Sequence, residues 1–123
     1  YSFEGVVVEP HAVQEHVPIW MGGYTKRSLV RAVAMADGWT PFALGYDQVA
    51  ALLSECEIPD GFEVVLGPDA VLDPLGDPAG CTATVERATA AGATVLNVTV
   101  TSTSLAHYLD QIEAFMAVVR PRS

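Results

Sequence analysis

The stretch Pro18-Ile19-Trp20-Met21-Gly22-Gly23-Tyr24-Thr25-Lys26-Arg27 reads as a short apolar strand that meets a glycine pair and then a basic, helix-opening segment. Strand, glycine turn and helix N-terminus in that order make an anion seat. Glycine lets the backbone approach a ligand closely, and the first turn of a helix offers N–H groups that have no partner inside the helix. The charge distribution points the same way. The chain carries a net charge of −9 with only six Lys and Arg residues, and Lys26, Arg27 and Arg31 all fall at this one helix start. The competing reading is an ordinary βα turn whose basic residues face solvent.

Working outward from that turn, strands and helices alternate along the whole chain. Residues 17–21 form the apolar run before the glycine pair, and Thr25 is an N-cap for a helix to about Ala36, with Leu29, Val33 and Ala36 on one face. Asp37-Gly38 stops that helix, and residues 39–42 are extended. Asp47 is the expected cap of a second helix with Val49, Leu52, Leu53 and Cys56 on one face. After the turn Pro59-Asp60-Gly61, residues 62–66 read as a strand. Residues 67–76, rich in Gly, Pro and Asp, read as a loop. Asp77-Pro78 opens a third helix, because Asp accepts from free N–H groups and Pro suits the first helical position. That helix runs to about Ala91 and stops at Gly92. Residues 94–100 are apolar and β-branched, as in a buried parallel strand. Ser104 caps a last helix with the stripe Leu105, Leu109, Ile112, Phe115, Met116 and Val119, ended by Arg120-Pro121.

The fold class is therefore α/β, four consecutive βα units in a single domain of 123 residues, with residues 1–16 as an irregular entry segment. Consecutive βα units imply parallel strands with right-handed crossovers. Two architectures fit: a small open doubly wound sheet, or half of a (β/α)8 TIM barrel, whose full length is about 250 residues. The chain opens on Tyr1 without an initiator Met, which leans toward the half barrel and toward a longer protein.

Composition excludes some partners. A pI near 4.5 argues against nucleic acid, whose phosphates need a basic surface. No apolar run approaches the roughly 20 residues of a membrane span, and no signal peptide opens the chain. Cys56 and Cys81 stand alone, without metal spacing or a dense disulfide pattern, so a cytoplasmic setting is expected.

Three segments carry a resemblance. Phe3-Glu4-Gly5, then Val17-Pro18-Ile19-Trp20-Met21-Gly22-Gly23, then Arg31-Ala32-Val33-Ala34-Met35-Ala36-Asp37-Gly38-Trp39-Thr40-Pro41 resemble the C-terminal half of the bacterial luciferase-like monooxygenase family. More narrowly, they resemble the actinobacterial branch that uses the deazaflavin coenzyme F-420. Ser104-Leu105-Ala106-His107-Tyr108-Leu109-Asp110-Gln111-Ile112-Glu113-Ala114-Phe115 resembles the last barrel helix of that branch. The resemblance implies a TIM barrel holding coenzyme F-420, or alternatively FMN, at its C-terminal mouth. The strand ending at Met21 would be the fifth of the barrel and the strand of residues 94–100 the eighth. Gly22, Gly23, Tyr24 and Thr25, helped by Lys26 and Arg27, would seat the cofactor phosphate. The first four strands, which in that family hold most of the ring and substrate contacts, are not in this sequence.

No catalytic residue is assigned, since no paired carboxylates, Ser-His-Asp or Cys-His arrangement is visible. His11 and His16 read as loop histidines, and His107 as a packing or surface residue. Arg31 and Asp37 read as an ion pair between helix and strand, and Trp20 and Trp39 as core residues. Asp69, Asp73 and Asp77 read as a solvated acidic loop without cation-ligand spacing. The functional expectation is part of a flavin- or deazaflavin-dependent oxidoreductase. The alternatives are an FMN-dependent monooxygenase fragment and a non-catalytic half barrel used for binding or assembly. The expected partner is the missing N-terminal half, or a second copy that closes the barrel as a homo-oligomer, because two free edges of a four-stranded parallel sheet invite pairing.

Overall fold

The computed structural model describes residues 2, 4–7 and 9–120. Phe3 and Pro121, both used above, lie outside the described residues. Four strands and four helices alternate: β1 (Trp20–Gly23), α1 (Lys26–Met35), β2 (Gly38–Pro41), α2 (Tyr46–Ser54), β3 (Glu63–Leu66), α3 (Pro78–Ala90), β4 (Val95–Leu96) and α4 (Leu105–Val119). All pairings are parallel, and the strand order is β1-β2-β3-β4. Helices α1 and α2 pack, through Leu29, Ala32 and Val49, on the face of the sheet that carries Trp39, Val64 and Leu66. The chain is thus α/β with one parallel sheet, as expected.

The strand bounds differ from the sequence reading, for reasons of pairing. β1 begins at Trp20 and includes both glycines, since Gly22 pairs with Thr40 and Gly23 with Pro41. β2 takes in Gly38, which pairs with both Trp20 and Glu63. The run 94–100 does not form one strand. Val95 and Leu96 pair with Val65 and Leu66, after which β3 ends, and Val100 instead bridges Leu72. The Leu72 N–H donates to the Thr99 carbonyl at 2.9 Å, and the Thr101 N–H donates to the Leu72 carbonyl at 2.8 Å. Residues 67–76 are therefore a loop with one surrogate strand residue.

Helix starts follow local chemistry. Thr25 accepts from the Ser28 N–H, Asp77 from the Gly80 N–H and Ser104 from the His107 N–H. The second helix departs from expectation: its N-cap is Gly45, and Asp47 lies in the first turn. Gln48 supplies the cap interaction, its amide oxygen accepting from the Gly45 N–H at 2.9 Å. Asp47 still complements the positive end of the helix dipole.

Side chains alternate across the sheet. Trp39, Val64 and Leu66 face the helices and join Leu29, Ala32, Val49, Phe62 and Ala91 in the main core, with Met21 packed at its margin. A second cluster, Leu72, Cys81, Val100 and Phe115, serves the last βα unit. Trp39 is fully buried, as expected, although its indole N–H has no hydrogen-bond partner among the described residues.

Trp20 corrects the reading of both tryptophans as core. It is 46% exposed. Met21 takes the helical side, so period-two alternation turns Trp20 to the opposite face. There its indole N–H donates to the Glu63 carboxylate at 2.6 Å, crossing Gly38 in the same register row.

Gly38 makes this crossing possible. A Cβ there would stand 2.6 Å from the Glu63 carbonyl oxygen and 2.8 Å from Trp20 Cδ1. Gly38→Ala is expected to destabilise the fold by roughly 2 kcal/mol, as overpacking against backbone does. A urea titration measures this. Adding Trp20→Ala should not restore the midpoint, because the main-chain clash with Glu63 remains.

Candidate functional site

The β1–α1 turn gathers Gly22, Gly23, Tyr24, Thr25, Lys26 and Arg27 at the carboxyl end of an edge strand. Its geometry is set by a reciprocal cap. The Ser28 N–H donates to Thr25 Oγ1 at 3.2 Å, and the Thr25 N–H donates to Ser28 Oγ at 3.1 Å. Ser28 Oγ in turn donates to the Thr25 carbonyl at 2.7 Å. This capping box satisfies two donors of the turn. The N–H groups of Lys26 and Arg27, the first two helical residues, have no acceptor inside the helix and point out of its end.

The glycines play different roles. Gly23 is buried with φ +154°, and a Cβ there would overlap Ser28 Cβ and Oγ. It exists to let the strand pass close to the capping box. Gly22 is exposed and lies under the Phe42 ring, whose Cε1 would be 3.6 Å from an added Cβ. Tyr24 contacts the same ring edge-on, with centroids 5.3 Å apart.

The basic residues separate. Lys26 Nζ bonds Glu55 at 2.9 Å, and that carboxylate, by hydrogen bond first and then by charge, raises the Lys26 pKa above its ordinary value. Arg27 and Arg31 are exposed and belong to neither ion pair of the described residues. The expected Arg31–Asp37 pair is therefore corrected: Asp37 pairs with His16 at 2.8 Å. Asp37 also accepts from the Ile19 N–H at 2.7 Å, so its two carboxylate oxygens are taken up by Ile19 and His16. His16 is thus a loop histidine with a defined partner, whereas His11 is exposed.

A polar chain that the sequence reading did not join lies at the carboxyl ends of β3 and β4. Gln111, fully buried on α4, accepts from the Leu75 N–H at 3.0 Å and donates to Asp73 at 2.7 Å. Its Nε2 is also 3.3 Å from the His107 ring, which reaches Thr103 Oγ1 at 3.1 Å. The Gln111 and Gly76 N–H donors hold the Asp73 carboxyl below the usual range. This network ties the loop after β3 to α4. Sequence offered no signal for it, since Gln111 lies beside the expected apolar stripe of α4 and not on it, yet is fully buried. Asp73 and Asp77 are a turn former and a helix cap, and no three metal-ligating side chains converge among the described residues.

Two open grooves lie on the helical side, about 670 Å³ between α2 and α3 and about 970 Å³ between α3 and α4, and none of the six turn residues lines either. Cys56 and Cys81 are free thiols, and burial pushes the Cys81 thiol pKa up, away from reactivity. Among the described residues no helix is long and apolar enough to cross a membrane. No protein-family model matches the chain, and no curated protein or solved structure matches it.

Two outcomes test this geometry. Gly23→Ala should lower stability by about 2 kcal/mol through loss of the cap and backbone crowding, read as a reduced urea midpoint. Asp37 should make stability acid-sensitive. Its pKa is lowered by the Ile19 N–H and then by His16. Its stabilisation is therefore fully present above the unfolded-chain value, about pH 4, and is lost as pH falls through the lower folded value. Asp37→Asn should flatten the thermal melting temperature over that acid window relative to the parent chain.

Proposed function

We propose that the chain is one half of a (β/α)8 barrel and seats the phosphate of a ring cofactor at the β1–α1 turn, as part of an oxidoreductase. The observation behind this reading is the start of α1, where the Lys26 and Arg27 N–H groups have no partner inside the helix and Arg27 is exposed and in no ion pair of the described residues. An anion there meets two main-chain donors, the positive end of the helix dipole and Arg27. The residues fit a phosphate ester, since Glu55, the acid bonded to Lys26, already has its charge matched.

The resemblance favours coenzyme F-420, with FMN as the alternative. Bound, either ring supplies hydride or electron transfer, and the protein supplies binding and orientation. In this chain Gly23 and the capping box hold the donors in place, and Arg27 adds charge. No residue here is posed as acid, base or substrate contact. The remaining contacts would come from the half that completes the barrel, either further sequence of the same protein or a second copy. Support for such a partner comes from α4, where Leu105 is 75%, Leu109 58% and Met116 44% exposed. Only Phe115 of the expected stripe is buried, with Ile112 and Val119 partly so. Exposed apolar side chains in a row mark a surface that another element covers. The reading places the protein in the cytoplasm as a homo-oligomer or as a piece of a longer chain.

Calorimetric titration with inorganic phosphate, FMN and F-420 tests the seat. Arg27→Gln should weaken each about fivefold, an exposed charge near a helix end being worth about 1 kcal/mol, and added salt should shrink the difference. Saturable binding that ignores Arg27 and salt would place the anion elsewhere. The chain alone should show no turnover of either cofactor.

A further inference from the structure

We propose that the groove between α2 and α3 binds a free α-amino acid with an apolar side chain, its carboxylate on Arg87 and its ammonium on Asp69. The groove is separate from the phosphate seat, since no residue of the β1–α1 turn lines it. At about 670 Å³ it has room for a small organic molecule. Three elements build it. Tyr46 comes from the first turn of α2, Thr84 and Arg87 from one face of α3, and Asp69 from the loop after β3. The buried Leu72 and Ala91 give it apolar walls.

Arg87 is held in place by an aromatic ring and not by an acid. Its guanidinium carbon lies over Tyr46, 5.9 Å from the ring centroid. Tyr46 is itself fixed, its hydroxyl donating to the Gly67 carbonyl at 3.3 Å. Contact through the ring face leaves the in-plane N–H donors of a guanidinium available, and these match a carboxylate in bidentate fashion. Burial and then the Asp69 carboxylate raise the Tyr46 phenol above its ordinary pKa, while Arg87 acts in the opposite direction. Both charges thus bear on one hydroxyl from within one groove. Yet neither Arg87 nor Asp69 belongs to an ion pair of the described residues, with each other or with a third group. Asp47 also lines the groove, but it sits in the first turn of α2 and complements that helix dipole.

Charge selects the ligand class. A chain of net charge −9 repels a free anion, and a simple cation meets the Arg87 guanidinium at close range. A zwitterion carries no net charge and satisfies both groups, because its carboxylate and ammonium complement an arginine and an aspartate that do not satisfy each other. The apolar walls add a preference for a ligand with a hydrophobic side chain over one without. An α-amino acid of this kind combines all three features in one small molecule.

Calorimetric titration of the full chain with L-phenylalanine tests the proposal against three analogues. Hydrocinnamate lacks the ammonium, phenethylamine lacks the carboxylate, and glycine lacks the side chain. L-Phenylalanine should bind about tenfold tighter than each of them. Arg87→Gln should weaken L-phenylalanine about tenfold and leave phenethylamine within about twofold, since that analogue has no carboxylate to lose. Asp69→Asn should likewise weaken L-phenylalanine about tenfold and leave hydrocinnamate within about twofold. Far-ultraviolet circular dichroism confirms that both variants are folded, and a merely structural role would weaken all the ligands alike. Absence of saturable L-phenylalanine binding to the parent chain overturns the proposal, as does binding that both variants leave unchanged. Equal affinity for hydrocinnamate and L-phenylalanine overturns it too, by removing Asp69 from the site. No probe carries a phosphate, so each of these outcomes leaves the reading of the β1–α1 turn standing.

Discussion

Asp37 is the point on which the sheet depends. Its N–H donates to the Ile19 carbonyl, its carboxylate accepts from the Ile19 N–H, and its carbonyl accepts from the Glu63 N–H. One residue thus fastens the chain before β1 and the first residue of β3 to the start of β2. The register row directly above, Trp20, Gly38 and Glu63, follows from that fastening. A slip of one residue would turn Met21, Trp39 and Val64 out of the core and turn Trp20 and Glu63 into it. The carboxylate is therefore spent on main-chain geometry, and the His16 contact is an addition to that role.

The same economy shapes the turn at the start of α1. A glycine pair before a helix suggests room for a ligand, yet Gly23 is filled by the approach of Ser28 and serves the fold itself. Gly22 is the position where the absent side chain changes the surface. The three basic residues also divide their work. Lys26 is drawn to Glu55 across the gap between α1 and α2, and Arg27 and Arg31 remain for solvent or ligand. Clustering in sequence therefore overstates the positive charge available at the helix end.

What was legible in the sequence was what is decided locally. Thr25, Asp77 and Ser104 could be read as caps because the donor each satisfies lies three residues away. The order of elements was legible for a related reason: glycine, proline and apolar period mark them one by one. Strand ends were not, because pairing partners decide them. The run 94–100 looks continuous until β3 turns away after Leu66. Nor could sequence tell whether Trp20 or Met21 faces the helices, since either choice satisfies alternation. The bond between Asp73 and Gln111 spans 38 positions and joins residues that read separately as loop and helix. The candidate site was legible as a place, from the glycine pair and charge, but the Phe42 ring that follows β2 and lies against Gly22 was not.

The loop after β3 looks like a region free to change length, and the contacts within it say otherwise. Leu72 is pinned to Thr99 and Thr101, Asp73 to Gln111, and Leu75 to the same glutamine. From 72 onward the segment is effectively part of the scaffold, with a fixed spacing to Asp77 and the start of α3. Gly67 is held too, its carbonyl accepting from the Tyr46 hydroxyl at 3.3 Å, which leaves residues 68–71, exposed apart from a half-covered Pro68, without such a tie. Length variation among descendants of this chain would accordingly be concentrated in those four positions. A domain grafted there would leave the carboxyl ends of β3 and β4 in register, whereas one inserted three residues later would separate α4 from the sheet.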